Sequence, residues 1–125
     1  MKENYPLNLT RNFKKEELEC PCCNECEMDP VLLTRLQSLR DIMDTPLVIT
    51  SGYRCENHNE AVGGSERSQH LFGKAVDIKI KDLDSATRHK LIKTSFDIGF
   101  SGVGIGKTKF HVDVRDGEGK SWGYS

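Results

Sequence analysis

Two histidines and an aspartate, His70, Asp77 and His111, are the residues of this chain whose types and spacing point to chemistry. Each is an ordinary metal ligand: a neutral imidazole offers a ring nitrogen and an ionised carboxylate an oxygen. Asp77 stands in VDIKI, which alternates with the period of a strand. Successive strand side chains face opposite ways, so Val76, Ile78 and Ile80 share one face and Ala75, Asp77 and Lys79 the other. KFHVDVRDG repeats the pattern, with Phe110, Val112 and Val114 on one face and His111, Asp113 and Arg115 on the other. If both strands lie in one sheet with polar faces aligned, Asp77 and His111 converge, and His70 reaches them from the preceding loop. Two imidazoles and one carboxylate leave a fourth zinc position open, which is the pattern of a catalytic zinc. The competing reading is three unconnected, solvated side chains.

A helix, a strand and a glycine-rich loop lead up to these residues. Asp29 suits a helix N-cap and Pro30 the first helical position, and Val31, Leu32, Leu36, Leu39 and Met43 recur at helical spacing. This helix is expected to end near 44–46, before a buried strand at 47–50 that delivers Ser51, Gly52, Tyr53 and Arg54 to its end. Residues 55–69 read as a polar loop, in which His58 braces the chain rather than binding metal. Ser68 can orient His70 or support a substrate, and Gly73 permits a tight turn before the strand at 75–80. A second helix is expected over 82–96, capped by Asp84 or Ser85, with Ala86, Leu91, Ile92 and Phe96 inward and His89 solvated. After Gly99, strands at 100–105 and 110–114 form a hairpin. Trp122 and Tyr124 either fold back across the sheet or line a substrate edge. Residues 1–28 read as irregular, with a short helical piece at 14–18 and Leu7, Leu9 and Phe13 pinning the segment to the core. The sum is an α+β domain over 1–125: two main helices on a small, mainly antiparallel sheet.

Composition narrows the partners. The chain has 125 residues, 36% hydrophobic and 30% charged, enough for one modest core with a polar surface. A net charge of −1 gives no electrostatic footprint for nucleic acid or an anionic membrane. No apolar run reaches the length of a membrane span, and MKENYPLNLT lacks the apolar region of a signal peptide. The expectation is a monomer made in the cytoplasm, without membrane insertion. Five cysteines are many for such a chain, and four crowd into CPCCNEC. Three readings stand for Cys20, Cys22, Cys23 and Cys26: a small structural zinc site, a disulfide from this loop to Cys55, or reduced thiols.

SGYR, then HN, VGG, the run S-x-H-x-x-G-x-A-x-D, GVGIG and FHVDVR follow one another in order. On these motifs the chain resembles the zinc D-Ala-D-Ala carboxypeptidase family of bacterial and phage peptidoglycan peptidases, whose zinc fold is similar to the hedgehog signalling domain. Carried over by position, the resemblance implies His70, Asp77 and His111 as zinc ligands and Arg54 as the substrate-binding arginine. It implies hydrolysis in the peptide stem of peptidoglycan, as a carboxypeptidase or an endopeptidase. The setting it suggests is a phage or prophage endolysin that reaches the wall through a separate pore or lysis. The family also places an acidic residue three positions before the last zinc histidine, or a histidine two before it. Here Thr108 and Lys109 stand in those places, and neither is a convincing base at neutral pH. Asp113 can act as the base or orient a ligand from behind. The departure keeps a second reading open, a non-catalytic, zinc-stabilised binding or structural module of a phage particle.

Overall fold

The computed structural model describes residues 8–124. The helix expected from Pro30 forms as α2 (Pro30–Met43), with the Asp29 carboxylate accepting from the Val31 and Leu32 amides at 2.7 and 3.3 Å. Leu32, Leu36, Leu39 and Met43 are its buried stripe. α4 (Ser85–Ile98) starts from an Asp84 cap on the Thr87 amide and ends at Gly99 in the left-handed conformation. Its inward face differs from the expectation. Leu91 is buried and Ile92 half-buried, but Ala86 and Phe96 are exposed. Thr94 and Ser95 point inward instead, because positions 91, 94, 95 and 98 make the helical stripe whatever their hydrophobicity. The Ser95 hydroxyl is satisfied by the Leu91 carbonyl at 2.8 Å.

The strands are β1 (Ile49–Ser51), β2 (Ala75–Lys79), β3 (Gly102–Ile105), β4 (Lys109–Asp113) and β5 (Lys120–Gly123), in the spatial order β1-β2-β4-β3-β5. β1–β2, β2–β4 and β4–β3 pair antiparallel, whereas β5 joins β3 in parallel and makes the sheet mixed. The buried strand expected at 47–50 is shifted toward the site, to Ile49–Ser51, and is not buried: it lies at the sheet edge with Val48 and Thr50 exposed. Trp122 and Tyr124 belong to this added edge: Trp122 lies within β5, and the Tyr124 amide continues the pairing to the Ile105 carbonyl.

Period-two alternation divides the sheet into two faces. Val76, Ile78, Val103, Phe110 and Val112 join Leu32, Leu36, Leu39 and Leu91 in one cluster, so the helices cover the apolar face. Full burial of each such side chain contributes on the order of 1.5–3 kcal/mol. Phe13 and Leu18 enter the same cluster, and Leu9 packs against it. Leu7, expected beside them, lies outside the described residues. The helical piece expected at 14–18 is α1 (Lys15–Leu18). The polar segment 55–69 is not all loop, since α3 (Glu56–Ala61) forms within it, capped by the Cys55 sulfur on the His58 amide at 3.4 Å. ENHNEA has no apolar stripe, so periodicity gave no sign of this helix. No helix among the described residues is long and apolar enough to cross a membrane.

Candidate metal centre

The open face of the sheet carries a row of residues at matched register. Ser51 pairs with Asp77, Asp77 with His111, His111 with Gly104, and Gly104 with Trp122. Asp77 and His111 thus arrive side by side because β2 and β4 are antiparallel neighbours. His70 comes from a short 3-10 turn, Gln69–Phe72, started by Ser68, whose hydroxyl accepts from the His70 amide at 3.3 Å. The turn ends at Gly73, with φ +67. A Cβ there would sit 1.7 Å from the Glu27 carbonyl oxygen, so both conformation and space demand glycine.

His70, Asp77 and His111 each present one ligand atom, and these atoms lie within 4.8 Å of one another. His70 Nε2 is 3.3 Å and His111 Nδ1 2.9 Å from Asp77 Oδ1. Ligands bonded at ~2.0 Å about a tetrahedral ion stand roughly 3.3 Å apart, so the three atoms are at ligand spacing. The remaining ring nitrogens are occupied from behind. His70 Nδ1 lies 2.7 Å from the Gly52 carbonyl, which fixes Nδ1 as a donor and makes Nε2, facing Asp77, the nitrogen available to a metal once its proton is lost. His111 Nε2 lies 2.7 Å from Asp113 Oδ2. A carbonyl and a carboxylate behind two imidazoles are the supports a metal site requires. The donor set therefore fits a divalent ion such as zinc.

Electrostatics agree. Burial would raise the Asp77 carboxyl, but hydrogen bonds from His111 and His70 outweigh it and hold the group below the usual carboxylate range. The imidazole of His111, despite burial, is pushed up by its bonds to Asp113 and Asp77. Asp113 is fully buried, yet it receives His111 Nε2 and the Arg115 amide, Nε and a terminal guanidinium nitrogen. These bonds hold it ionised against the cost of burial. Space for this carboxylate exists because residue 102 is glycine: a Cβ there would fall 2.1 Å from Asp113 Oδ1. Gly104 likewise makes room for Trp122, whose indole would lie 2.6 Å from an added Cβ. That indole is wedged between the His111 ring, 5.2 Å away by centroids, and the Arg115 guanidinium, 5.0 Å away.

A cleft of about 220 Å³ opens over the ligand atoms. Arg54, Ser68, Lys109 and the aromatics Trp122 and Tyr124 line it with the three ligand residues. Arg54 is held by Ser51 Oγ on Nε at 3.2 Å and by Asn59 Oδ1 on one terminal nitrogen at 3.1 Å. Its other terminal nitrogen is 3.7 Å from Asp77 Oδ2, turned toward the centre. Asn59, buried in α3, is braced in turn by the Ser65 carbonyl. Burial pushes the Tyr124 phenol up to about 12, with the Asp77 charge adding to the effect, so it stays a proton donor. A second groove of about 420 Å³ shares Arg54, Asp77 and Lys109 and continues past Thr108, His58, Lys79 and Lys81. Asp77 is the one carboxylate lining either space among the described residues.

The site residues expected from sequence fall into two places. His70, Asp77, His111, Arg54 and Ser68 share the cleft, and Asp113 sits behind His111. His58 lies on the neighbouring groove and His89 is exposed on α4, both outside the ligand group. The cysteines gather elsewhere: Cys20, Cys22 and Cys23 meet Cys55, the residue that the disulfide reading joined to this loop, though as free thiols, while Cys26, expected in the metal set, packs against the apolar core. Sequence reading did not find Ser51, Asn59 or the Gly52 carbonyl, whose roles appear only once β1 and α3 face the turn at His70. The Gly102 and Gly104 pair carried a signal, glycine at alternate positions of GVGI, that marks where neighbouring strands need room.

The sequence profile of the family described as Peptidase M15 matches residues 11–115. The chain belongs to the Peptidase M15 family. It is also 30% identical over 96 residues to the zinc D-Ala-D-Ala carboxypeptidase of Streptomyces albus G. That alignment covers 74% of this chain and 36% of the relative, so the chain spans about a third of the length of the curated protein it matches. The M15 match encloses the three candidate ligand residues together with Arg54, Ser68 and Asp113. The α+β fold, with its two long helices on one face of a small sheet, accords with membership of M15.

Proposed function

We propose that this M15 chain is a zinc-dependent peptidase acting on the peptide stem of bacterial peptidoglycan. The observation that carries the reading is the convergence of His70 Nε2, Asp77 Oδ1 and His111 Nδ1 beneath an open cleft, each imidazole backed by its own acceptor. A structural metal site is normally closed by a fourth protein ligand, whereas this one faces a cleft with an arginine turned toward it. The same arginine weighs against a purely structural module. When bound, zinc supplies a Lewis acid and lowers the pKa of water to about 7.

The chain's own residues do the rest. Gly52 and Asp113 hold the two imidazoles in the tautomers that leave His70 Nε2 and His111 Nδ1 free as ligands. Asp113 is sealed behind His111 and fully bonded, so its role in this reading is positioning rather than proton transfer. Arg54, pinned on two sides, offers its remaining donors to a substrate carboxylate or to charge developing at the scissile carbonyl. Lys109 and the protonated Tyr124 phenol stand at the cleft edge as further donors; the Lys109 ammonium lies 5.5 Å from the Tyr124 ring centroid. The basic groove past Lys79 and Lys81 suits the carboxylates of a stem peptide. The name of the Streptomyces relative and this acidic-substrate groove support peptidoglycan, and a phage-type lysis setting is the finer part of the same proposal.

The test is mass spectrometry of purified peptidoglycan fragments incubated with zinc-loaded protein beside an Asp77→Ala control. New stem fragments seen with the intact chain alone are expected, and their masses separate carboxypeptidase from endopeptidase cleavage. Zinc bound stoichiometrically with no cleavage of any stem type would overturn the peptidase reading in favour of a binding module. The lysis setting is tested separately, by producing the chain in bacteria with and without a pore-forming partner; lysis is expected with the pore.

A further inference from the structure

Four cysteines converge where the N-terminal segment meets the residues after β1. Cys22 Sγ is 3.1 Å from Cys55 Sγ, and Cys20 Sγ is 3.5 and 3.6 Å from Cys22 and Cys55. Cys23 completes the group, with all four sulfurs within 4.8 Å of one another. Four sulfurs bonded at ~2.3 Å to one tetrahedral ion stand roughly 3.8 Å apart, close to this arrangement. Any single disulfide would use two of the four and leave the other pair of thiols facing each other without a partner.

The chain is folded to make this cluster. Cys20 N–H donates to the Glu25 carbonyl and Asn24 N–H to the Cys20 carbonyl, both at 2.8 Å, closing a tight loop around CPCCN. Asn24 turns the loop with φ 63, a left-handed conformation that asparagine tolerates better than most residues. The Lys15 ammonium holds the Asn24 carbonyl at 2.8 Å from α1. Two backbone amides also point at the sulfurs: Cys55 N–H to Cys20 Sγ at 3.5 Å and His58 N–H to Cys55 Sγ at 3.4 Å. Such amides stabilise thiolate charge. Cys20 is fully buried, whereas Cys26, the fourth cysteine of CPCCNEC, lies outside the group and packs, half-buried, against the core.

We infer that Cys20, Cys22, Cys23 and Cys55 form a second metal site, a tetrathiolate centre for a soft divalent ion of the zinc type. All four positions are filled by protein, so the centre has no open site for substrate and is structural. Its place gives it a task. Cys55 follows Arg54 directly and caps α3, which carries the Asn59 that braces Arg54. The Tyr53 amide donates to the Leu18 carbonyl at 2.8 Å, and a Cβ on Gly52 would sit 2.6 Å from that same oxygen. The ion ties these two touching segments together beside the arginine and beside the Gly52 carbonyl that supports His70. This inference does not rest on the peptidase reading; it needs only thiols and a metal.

The experiment uses the full chain purified under reducing conditions and loaded with Co²⁺, whose thiolate complexes give an intense near-ultraviolet charge-transfer band. A His70→Ala/Asp77→Ala variant, lacking the cleft site, is expected to keep one ion per chain and the full thiolate band. Cys22→Ser and Cys55→Ser should lose that ion and the band, and Cys26→Ser should keep both. The cleft-site variant binding no metal, or binding it without a thiolate band, would overturn the inference. So would loss of the band on Cys26→Ser alone, or thiol titration of the reduced, metal-treated wild-type chain that finds all five cysteines freely reactive. Since the cobalt spectrum is read on wild-type protein as well, a serine variant that fails to fold does not rescue the proposal.

Discussion

Asp77 and His111 are cross-strand partners, and the 2.9 Å between Asp77 Oδ1 and His111 Nδ1 follows from the pairing of β2 with β4. The centre is therefore as rigid as the sheet's middle. His70, carried on the turn after α3, is the candidate ligand delivered by a loop, and three fixed points (Ser68, Gly52 and the Arg54 amide on its carbonyl) hold it.

Alanine at His70, Asp77 or His111 should abolish metal binding in the cleft, read as metal per chain in a Cys22→Ser background. A subtler change tests the support behind the ligands. Asp113→Asn keeps the volume but weakens the hold on His111 Nε2 and leaves Arg115 without its buried partner. Zinc affinity should fall about 10- to 100-fold, measured by competition with a chelating dye. Unchanged affinity would remove Asp113 from the site.

Arg54→Ala should leave metal content intact and lower kcat/KM on a stem-peptide substrate by about 100-fold or more. Lys79→Ala/Lys81→Ala should act differently, raising KM with kcat held, and the wild-type dependence of KM on salt should flatten in that variant. Equal loss of kcat in the lysine variant would place those residues at the reacting bond instead of along the groove.

Gly104→Ala puts a methyl group 2.6 Å from the Trp122 indole. The wedge against His111 must move, at a cost of about 1–3 kcal/mol. Thermal unfolding should show a lower midpoint, and Trp122, the single tryptophan of the chain, should report a shifted fluorescence maximum. An unmoved spectrum would mean that the indole is not held where the structure has it.

Stability of the metal-free chain should depend on pH in two opposite ways. Asp77 and Asp113 are held below the ordinary aspartate value of 3.8. Their contribution is present above that value and lost as pH falls through the lower folded ones. His111 is raised from 6.5, so its contribution is full below 6.5 and lost as pH climbs through the folded value. Unfolding midpoints of chelator-treated protein should plateau between about pH 4 and 6.5 and decline on both sides. A midpoint that keeps rising from pH 6 to 9 would contradict the His111 arm.

Much of this centre was legible in the sequence because strands write their faces plainly. The alternation in VDIKI and KFHVDV put Asp77 and His111 on one face, and the pairing of β2 with β4 satisfied the single condition that reading needed. What stayed hidden depended on contacts between distant segments. The sequence allows a link from the cysteine-rich run to Cys55 as a disulfide, but for a metal it offers Cys26 as the fourth member, because Cys55 is far away along the chain. Hydrophobicity places Phe96 inward, yet the stripe of α4 passes through Thr94 and Ser95. The polar helix α3 gave no apolar period, and with it went the link from Asn59 to Arg54.

The row from Ser51 through Asp77, His111 and Gly104 to Trp122 runs across all five strands, with the apolar residues of the same strands on the opposite face. A slip of β4 by one residue against β2 would turn His111 and Asp113 under the helices and send Phe110 and Val112 into the cleft. Such a sheet would no longer bring His70, Asp77 and His111 together, so a divalent ion in the cleft would fit the correctly aligned sheet and not its slipped competitor.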